Sequence, residues 1–445
     1  MKKLLLFALL FLMQNSFSQF ITTWKTDNPG TSNDYQIIIP TTGTGYDYIV
    51  DWGDGNIDSA VLGDITHTYS TIGTYAVTIT GDFPRIYFNN SFDKEKILSV
   101  DQWGNNEWSS MESAFYGASN LILTATDLPN LSNVTNMDFM FRKTSSFNGD
   151  IGLWDVSNVT DMDGMFRYAY SFNGDIGLWD VSNVVDMNFM FIGAGSFNKD
   201  IGSWDVSNVA DMSYMFSSAF SFNQGIGAWD VSNVTNMSNM FAGALDFDKD
   251  IGNWNVSNVT DMNAMFHFAS SFNQNIGSWN VANVMEMIQM FYHAELSTEN
   301  YDSLLIGWNN QNLQSGIFFH GGDSKYCSEE ALVARNELNS THNWTVADDG
   351  RDANCIEPIG IDEDKGLTFS ISPNPVIESV EVHFSKIIEG NLFLVDVSGR
   401  ILEKQTLENG KNRYIVDVSN YASGIYFIEI QSEGKKLTSK KLLIQ

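Results

Sequence analysis

Tryptophan recurs at Trp154, Trp179, Trp204, Trp229, Trp254 and Trp279, a spacing of 25 residues without exception. Phenylalanine keeps the same period at Phe147, Phe172, Phe197, Phe222, Phe247 and Phe272. Ser-Asn-Val begins at Ser132, Ser157, Ser182, Ser207, Ser232 and Ser257 and returns as Ala282-Asn283-Val284. A Met-x-x-Met-Phe block starts at Met137, Met162, Met187, Met212, Met237, Met262 and Met287, with Met111–Phe115 as a degenerate first copy. No proline interrupts the chain between Pro129 and Pro358. One unit of this length holds too little apolar surface to fold alone, so neighbours must share a core.

The period predicts a repeat solenoid of the leucine-rich-repeat size class, built from strand–turn–short helix coils. In one unit, Met212, Met215, Phe216 and Ala219 stand at i, i+3, i+4 and i+7, the spacing of one helix face. The residue before each first Met is Asn136, Asp161, Asp186, Asp211, Asn236, Asp261 or Glu286. Six of the seven suit a helix N-cap. Gly225 and Gly227 suit a turn, and Trp229 and Val231 alternate with Asp230 as in a short half-buried strand. Asn233 and its equivalents are expected to form a buried column bonding free backbone groups from coil to coil. The Met, Phe and Trp columns read as plain core, since Met fills irregular gaps.

These residues resemble the BspA-like leucine-rich repeats of bacterial surface proteins, in the Met-Phe, Trp-Asp-Val-Ser-Asn-Val-Thr form, over 111–291. The resemblance implies a secreted or surface protein used for adhesion or partner binding, without catalytic residues. Here Met and Trp replace part of the usual Leu and Ile columns. From 292 to 357 the period fails. Tyr301–Trp308 and Glu329–Leu338 read as helices and Asn343–Val346 as a strand, together a cap for the last coil.

Residues 370–445 differ in composition: nine basic and nine acidic residues, against 24 and 54 in the whole chain. Short alternating strands with turn signals at Ser398-Gly399, Glu408-Asn409-Gly410 and Glu433-Gly434 predict a small all-β sandwich. The runs Ser372-Pro373-Asn374-Pro375, Leu394–Arg400, Ser423–Tyr426 and Lys440–Ile444 resemble the type A sorting domain of the Bacteroidota type IX secretion system. That resemblance implies contact with the secretion machinery, passage across the outer membrane, then removal of the domain. A polar linker over 358–369 precedes it.

Residues 19–90 are rich in Thr and Gly. Tyr48–Trp52 runs into Gly53-Asp54-Gly55, and His67–Tyr69 and Tyr75–Ile79 follow as strands. The set Asp51–Gly55, His67-Thr68-Tyr69 and Gly73-Thr74-Tyr75 resembles a PKD domain, which implies a second sandwich serving as spacer or interaction module. His67 reads as a structural strand residue. A junction over 91–110 joins this module to the repeats. The expected whole is a solenoid flanked by two small all-β sandwich domains.

Lys2, Lys3 and the apolar run Leu4–Met13 read as a secretory signal over 1–18, too short to span a bilayer. No other stretch is a candidate transmembrane segment. Export to an oxidising compartment makes Cys327 and Cys355 a candidate disulfide, closing a loop at a gain of roughly 3–4 kcal/mol in the chain-entropy model. A formal charge of -30 argues against nucleic acid as a partner.

No phosphate loop, His-Glu-x-x-His or Gly-x-Ser-x-Gly occurs. The acids recur by period, as a solvated face does, whereas catalytic carboxylates need one concave site that shifts a pKa. No catalytic residue and no cofactor is assigned. Asp155, Asp180, Asp205 and Asp230, continued by Asn255 and Asn280, are expected as a column. Bonds to Ser and backbone account for it; Ca²⁺ between coils is the sharper alternative. Asp51 and Asp54 are a weaker Ca²⁺ candidate. The sequence thus points to an exported, non-enzymatic binding protein whose partner is an extracellular protein or a glycan. A structural spacer and a polysaccharide-acting enzyme are the alternatives.

Overall fold

The computed structural model describes residues 19–355, 369–385, 389–408, 410–432 and 435–445. The expected leader and residues 358–368 of the expected linker lie outside the described residues. The chain divides into two compact units, Met1–Ala353 and Asn354–Gln445.

The first unit opens with strands β1 (Phe20–Lys25), β2 (Gln36–Ile39), β3 (Asp47–Asp51), β4 (Ile57–Val61), β5 (Ile65–Thr68), β6 (Thr74–Asp82), β7 (Ile97–Gln102) and β8 (Ile122–Leu123). One sheet runs β4-β3-β6-β1-β7-β8, and β2 pairs with β5 apart from it. Burial alternates along β1, with Phe20, Thr22 and Trp24 inside, as the two-residue period of a strand requires. β7 is antiparallel to β1 but parallel to β8, so this sheet runs on into the first repeat. The stretch read as a junction is part of the core: Trp103 and Trp108 are fully buried, and Trp103 meets Trp154 edge-on at 5.4 Å. One buried core extends from Phe20 to Val346.

The solenoid of strand–turn–helix coils is not what the repeats form. The described residues hold small sheets and two helices, and both helices lie beyond the repeats. Within Met212–Ala219, residues 213–218 are a run of turns, and Trp229–Val231 is not a strand. The apolar spacing still reports burial correctly, since Met212, Met215, Phe216 and Ala219 are all fully buried. A helix is broken there because Tyr214 and Ser218 have φ of +57°. The same positive φ recurs two and six residues after the first Met, as at Phe139, Lys143, Phe189, Asn239 and Phe268.

That left-handed alternation turns every second N–H toward the next unit. Phe139 N donates to Asp163 O (2.8 Å), Phe141 N to Met165 O (2.9 Å) and Lys143 N to Arg167 O (2.8 Å). Turn bonds such as Met140 N to Met137 O (3.1 Å) satisfy the others. Single parallel bridges join Asn136, Asp161, Asp186, Asp211, Asn236, Asp261 and Glu286 in order. The backbone groups are thus paired without strands of any length.

Side chains reinforce each step. Phe166, Phe191, Phe216, Phe241 and Phe266 stack at 5.6–5.7 Å, nearly parallel. From Trp179 to Trp279, each repeated Trp indole N–H donates to an Ile carbonyl of the preceding unit, as from Trp229 to Ile201 at 3.1 Å. The expected buried Asn column is exposed instead. Its amides do link units, Asn233 Nδ2 donating to Ser207 O at 2.7 Å.

Beyond the repeats, α1 (Thr298–Asn309) and α2 (Glu329–Ser340) begin at Ser297 and Ser328, whose side chains accept from Asn300 N and Ala331 N. Strands β9 (Phe318–His320) and β10 (Thr345–Ala347) pair in parallel. Trp308 extends the tryptophan series, donating to Ile276 O at 3.2 Å. Cys327 and Cys355 are both disulfide-bonded.

The second unit holds β11 (Phe369–Ser372), β12 (Ser379–Phe384), β13 (Gly390–Asp396), β14 (Ile401–Leu407), β15 (Arg413–Asp417), β16 (Gly424–Ser432) and β17 (Lys435–Ile444). They form sheets β11-β12-β15 and β14-β13-β16-β17. Both contribute to a second core that includes Val380, Val382, Leu394, Ile428 and Leu442.

Candidate functional site

The four aspartates considered for Ca²⁺ lie exposed on the turn after each Trp, and each is engaged locally. Asp155 accepts from Ser157 N and Oγ (3.1 and 2.6 Å), and Asp180 from Ser182 N and Oγ (3.1 and 2.6 Å). Asp205 and Asp230 accept from Ser207 N and Ser232 N at 3.1 and 3.0 Å. These serine bonds hold the carboxyls of Asp155, Asp205 and Asp230 below the usual range. They are turn-formers of the kind Asp and Asn supply. Asp51 and Asp54 act likewise, accepting from Gly53 N and Asn56 N. Asp54 Oδ2 also lies 2.9 Å from His67 Nε2, and His67 stacks on Trp52 at 4.8 Å. No group of three or more His, Cys, Asp or Glu able to hold a metal occurs among the described residues.

A further ladder carries no mark in the motifs first singled out. The Asn after each repeated Phe bonds the next unit's backbone: Asn173 N donates to Asn148 Oδ1, Asn198 N to Asn173 Oδ1 and Asn223 N to Asn198 Oδ1, at 2.8–3.0 Å. Asp248 takes the same place, accepting from Asn273 N at 3.0 Å. The Phe-Asn pair repeating at 25 residues was the available signal.

The aromatic variation between units is confined to one stretch. Over 111–293, the aromatic residues outside the buried columns are Tyr116, Phe139, Tyr168, Tyr170, Phe189, Tyr214, Phe220, Phe268 and Tyr292. Every one stands two, five, six or eight residues after the first Met of its unit. The intervening third, fourth and seventh places are buried, so these side chains face outward together. Phe189 stacks on Tyr214 at 4.9 Å, and Tyr292 on His267 at 5.4 Å. A Cβ on Gly164 would lie 2.8 Å from the Phe139 ring, and one on Gly193 2.5 Å from that of Tyr168, so rings lie across neighbouring glycines. Tyr170 and Phe220 are 56% and 49% exposed, far above the 0–4% of the repeated Phe and Trp columns.

Beside the aromatics run carboxylates and two arginines. Burial, with Asp161 close by, pushes Asp138 well above the usual carboxylate range. Burial, then Asp186 and Asp161, pushes Asp163 up to about 7. Arg142 lies over the rings of Tyr116 (4.8 Å) and Phe139 (5.0 Å). Arg167 lies over Phe189 (4.8 Å) and Tyr168 (5.3 Å). These are cation–π distances.

Residues 109–226 and 212–320 match the family described as Mycoplasma protein of unknown function, DUF285. Residues 370–445 match the secretion system C-terminal sorting domain. The central repeats are therefore of the DUF285, BspA-like type, and the second unit carries a type IX sorting domain. The sorting domain places the chain on the route across the outer membrane, to the cell surface or the extracellular space, and implies contact with the type IX machinery. No helix among the described residues is long and apolar enough to cross a membrane. No curated protein and no solved structure matches the chain.

Proposed function

We propose that this is a non-catalytic binding protein of the cell surface or extracellular space, recognising an extracellular protein or glycan through the outward aromatic stretch of its repeats. The supporting observation is the confinement of the variable aromatics. The buried columns repeat almost without change, so folding of those columns alone gives no reason for further rings to gather at four outward positions. Exposed aromatic side chains are the usual anchors of recognition surfaces, because they bring much contact area at low entropic cost. The PKD-like reading of residues 19–90 gives that module a supporting role as spacer.

The test is binding of the purified chain to an array of glycans and extracellular proteins. Tyr170→Ala with Phe220→Ala should weaken binding at least tenfold and leave the melting temperature within a few degrees. Saturable binding indifferent to both substitutions would remove the assignment to this face. No binding to any member would favour the spacer reading.

A further inference from the structure

Residues 111–293 carry only five lysines and arginines: Arg142, Lys143, Arg167, Lys199 and Lys249. Three of the five lie together at one end of the aromatic stretch. Arg142 and Arg167 take the same place in successive units, five residues after the first Met. Their backbones are neighbouring rungs, roughly 5 Å apart along the stack, with Lys143 N bonded to Arg167 O. Lys143 is exposed and lies 5.9 Å from the Tyr116 ring.

Among the described residues, neither guanidinium makes a side-chain hydrogen bond or an ion pair. The Nε of each is buried without a partner, while the terminal nitrogens are not closed off. Asp163 is near enough to feel both charges, yet its Oδ1 is also buried without a partner. Asp138 is committed elsewhere, accepting from Asn136 Nδ2 and Asp163 N, both at 3.0 Å. Raised toward neutrality, these carboxyls give the arginines only part of a counter-charge. Two like charges, pinned between rings in a chain of net charge -30, thus have no carboxylate within ion-pair distance among the described residues. A guanidinium offers a planar donor fork that matches an oxyanion in two-point contact.

We infer that Arg142 and Arg167, held one repeat apart between aromatic rings, form a binding site for an acidic polysaccharide, taking its carboxylate or sulfate groups. Two arginines in register suit a polymer whose charges recur along it. The flanking aromatic faces suit the C–H faces of sugar rings, which a polyglutamate chain lacks. The site rests on the proposed binding role of the aromatic stretch and names its ligand class.

The full chain is titrated calorimetrically with polygalacturonate (carboxylate) and dextran sulfate (sulfate), with dextran and poly-L-glutamate as controls. Binding of one or both acidic polysaccharides is expected, and which one binds names the group. That binding should weaken as salt rises from 50 to 500 mM. Arg142→Gln with Arg167→Gln should reduce it at least tenfold, and Arg142→Lys with Arg167→Lys by a smaller factor. The lysine pair also keeps the test decisive if the glutamine pair does not fold. Equal binding of dextran or polyglutamate, indifference to both variant pairs, or no binding of either acidic polymer overturns the inference. If binding to another partner then remains sensitive to Tyr170 and Phe220, the proposed function stands without this site.

Discussion

Asp163 stands where two columns meet, and its environment sets a pH dependence. Its backbone N–H donates to Asp138 Oδ1 at 3.0 Å and to Asp161 Oδ1 at 3.2 Å, and burial raises its carboxyl to about 7. In the unfolded chain an aspartate titrates near 4. The folded state thus holds a proton that the unfolded state has released between about pH 4 and 7. Stability from this residue is fully present below about pH 4 and is lost as pH rises through 7. Asp163→Asn removes that titration. The variant should match the parent near pH 4 and exceed it at pH 8 by on the order of 1–2 kcal/mol. Melting temperatures of both proteins at pH 4, 6 and 8 check this, and parallel curves would refute it. The residue type before each first Met was readable as an acceptor of backbone N–H groups. Asp211 does accept Ser213 N at 2.7 Å, but it closes a turn and begins no helix.

The elements show where periodicity informs and where it misleads. A spacing of i, i+3, i+4 and i+7 states which residues share a face. Two tight turns with left-handed residues between them reproduce that spacing as well as a helix does. Non-glycine residues in the left-handed region cost about 1 kcal/mol each, an expense that argued for a helix. Bonds between units outweigh it, and a single unit cannot display them. Glycine partly betrays the alternation, at Gly117, Gly164, Gly193 and Gly243, all with positive φ. Phe, Tyr, Lys and Ser at the equivalent places conceal it. The glycine two residues before each repeated Trp has another cause, close approach. A Cβ on Gly227 would lie 2.4 Å from Asp250 O, and equivalents at Gly177 and Gly202 meet carbonyls at 2.4 Å. Gly227→Ala should therefore destabilise the first unit by about 1–3 kcal/mol through overpacking against backbone. Trp229→Phe should cost about 1–3 kcal/mol, since it leaves the Ile201 carbonyl without its indole donor. Urea midpoints at fixed m-value measure both, and unchanged midpoints would show that the units yield more than their bonds imply.

At the scale of the whole molecule, the two units carry separate cores. The shift from an acidic region to a charge-balanced segment made this division legible at about residue 370. The continuity of the first unit was not legible. β7 and β8 bind the N-terminal sheet to the first repeat, and buried Trp103 and Trp108 fill the stretch that read as a junction. Parallel pairing across that distance, Ser99 with Ile122 and Val100 with Leu123, depends on how the first repeat folds back. Strand patterns alone do not carry that information. The separation of cores sets an expectation for truncation. A chain ending at residue 357 keeps the entire first core, including Leu338, Trp344 and Val346. It also keeps both cysteines. Its melting transition should fall within a few degrees of the first-unit transition in the full chain. It lacks the sorting domain, so in a host with type IX secretion it should accumulate inside the outer membrane and be absent from the surface and the medium. Fractionation with immunodetection reads the location, and calorimetry of the purified fragment reads the fold. A truncated chain that melts much lower would mean that the second unit supports the first. One that folds and still reaches the outside would mean that residues 19–357 carry an export signal of their own.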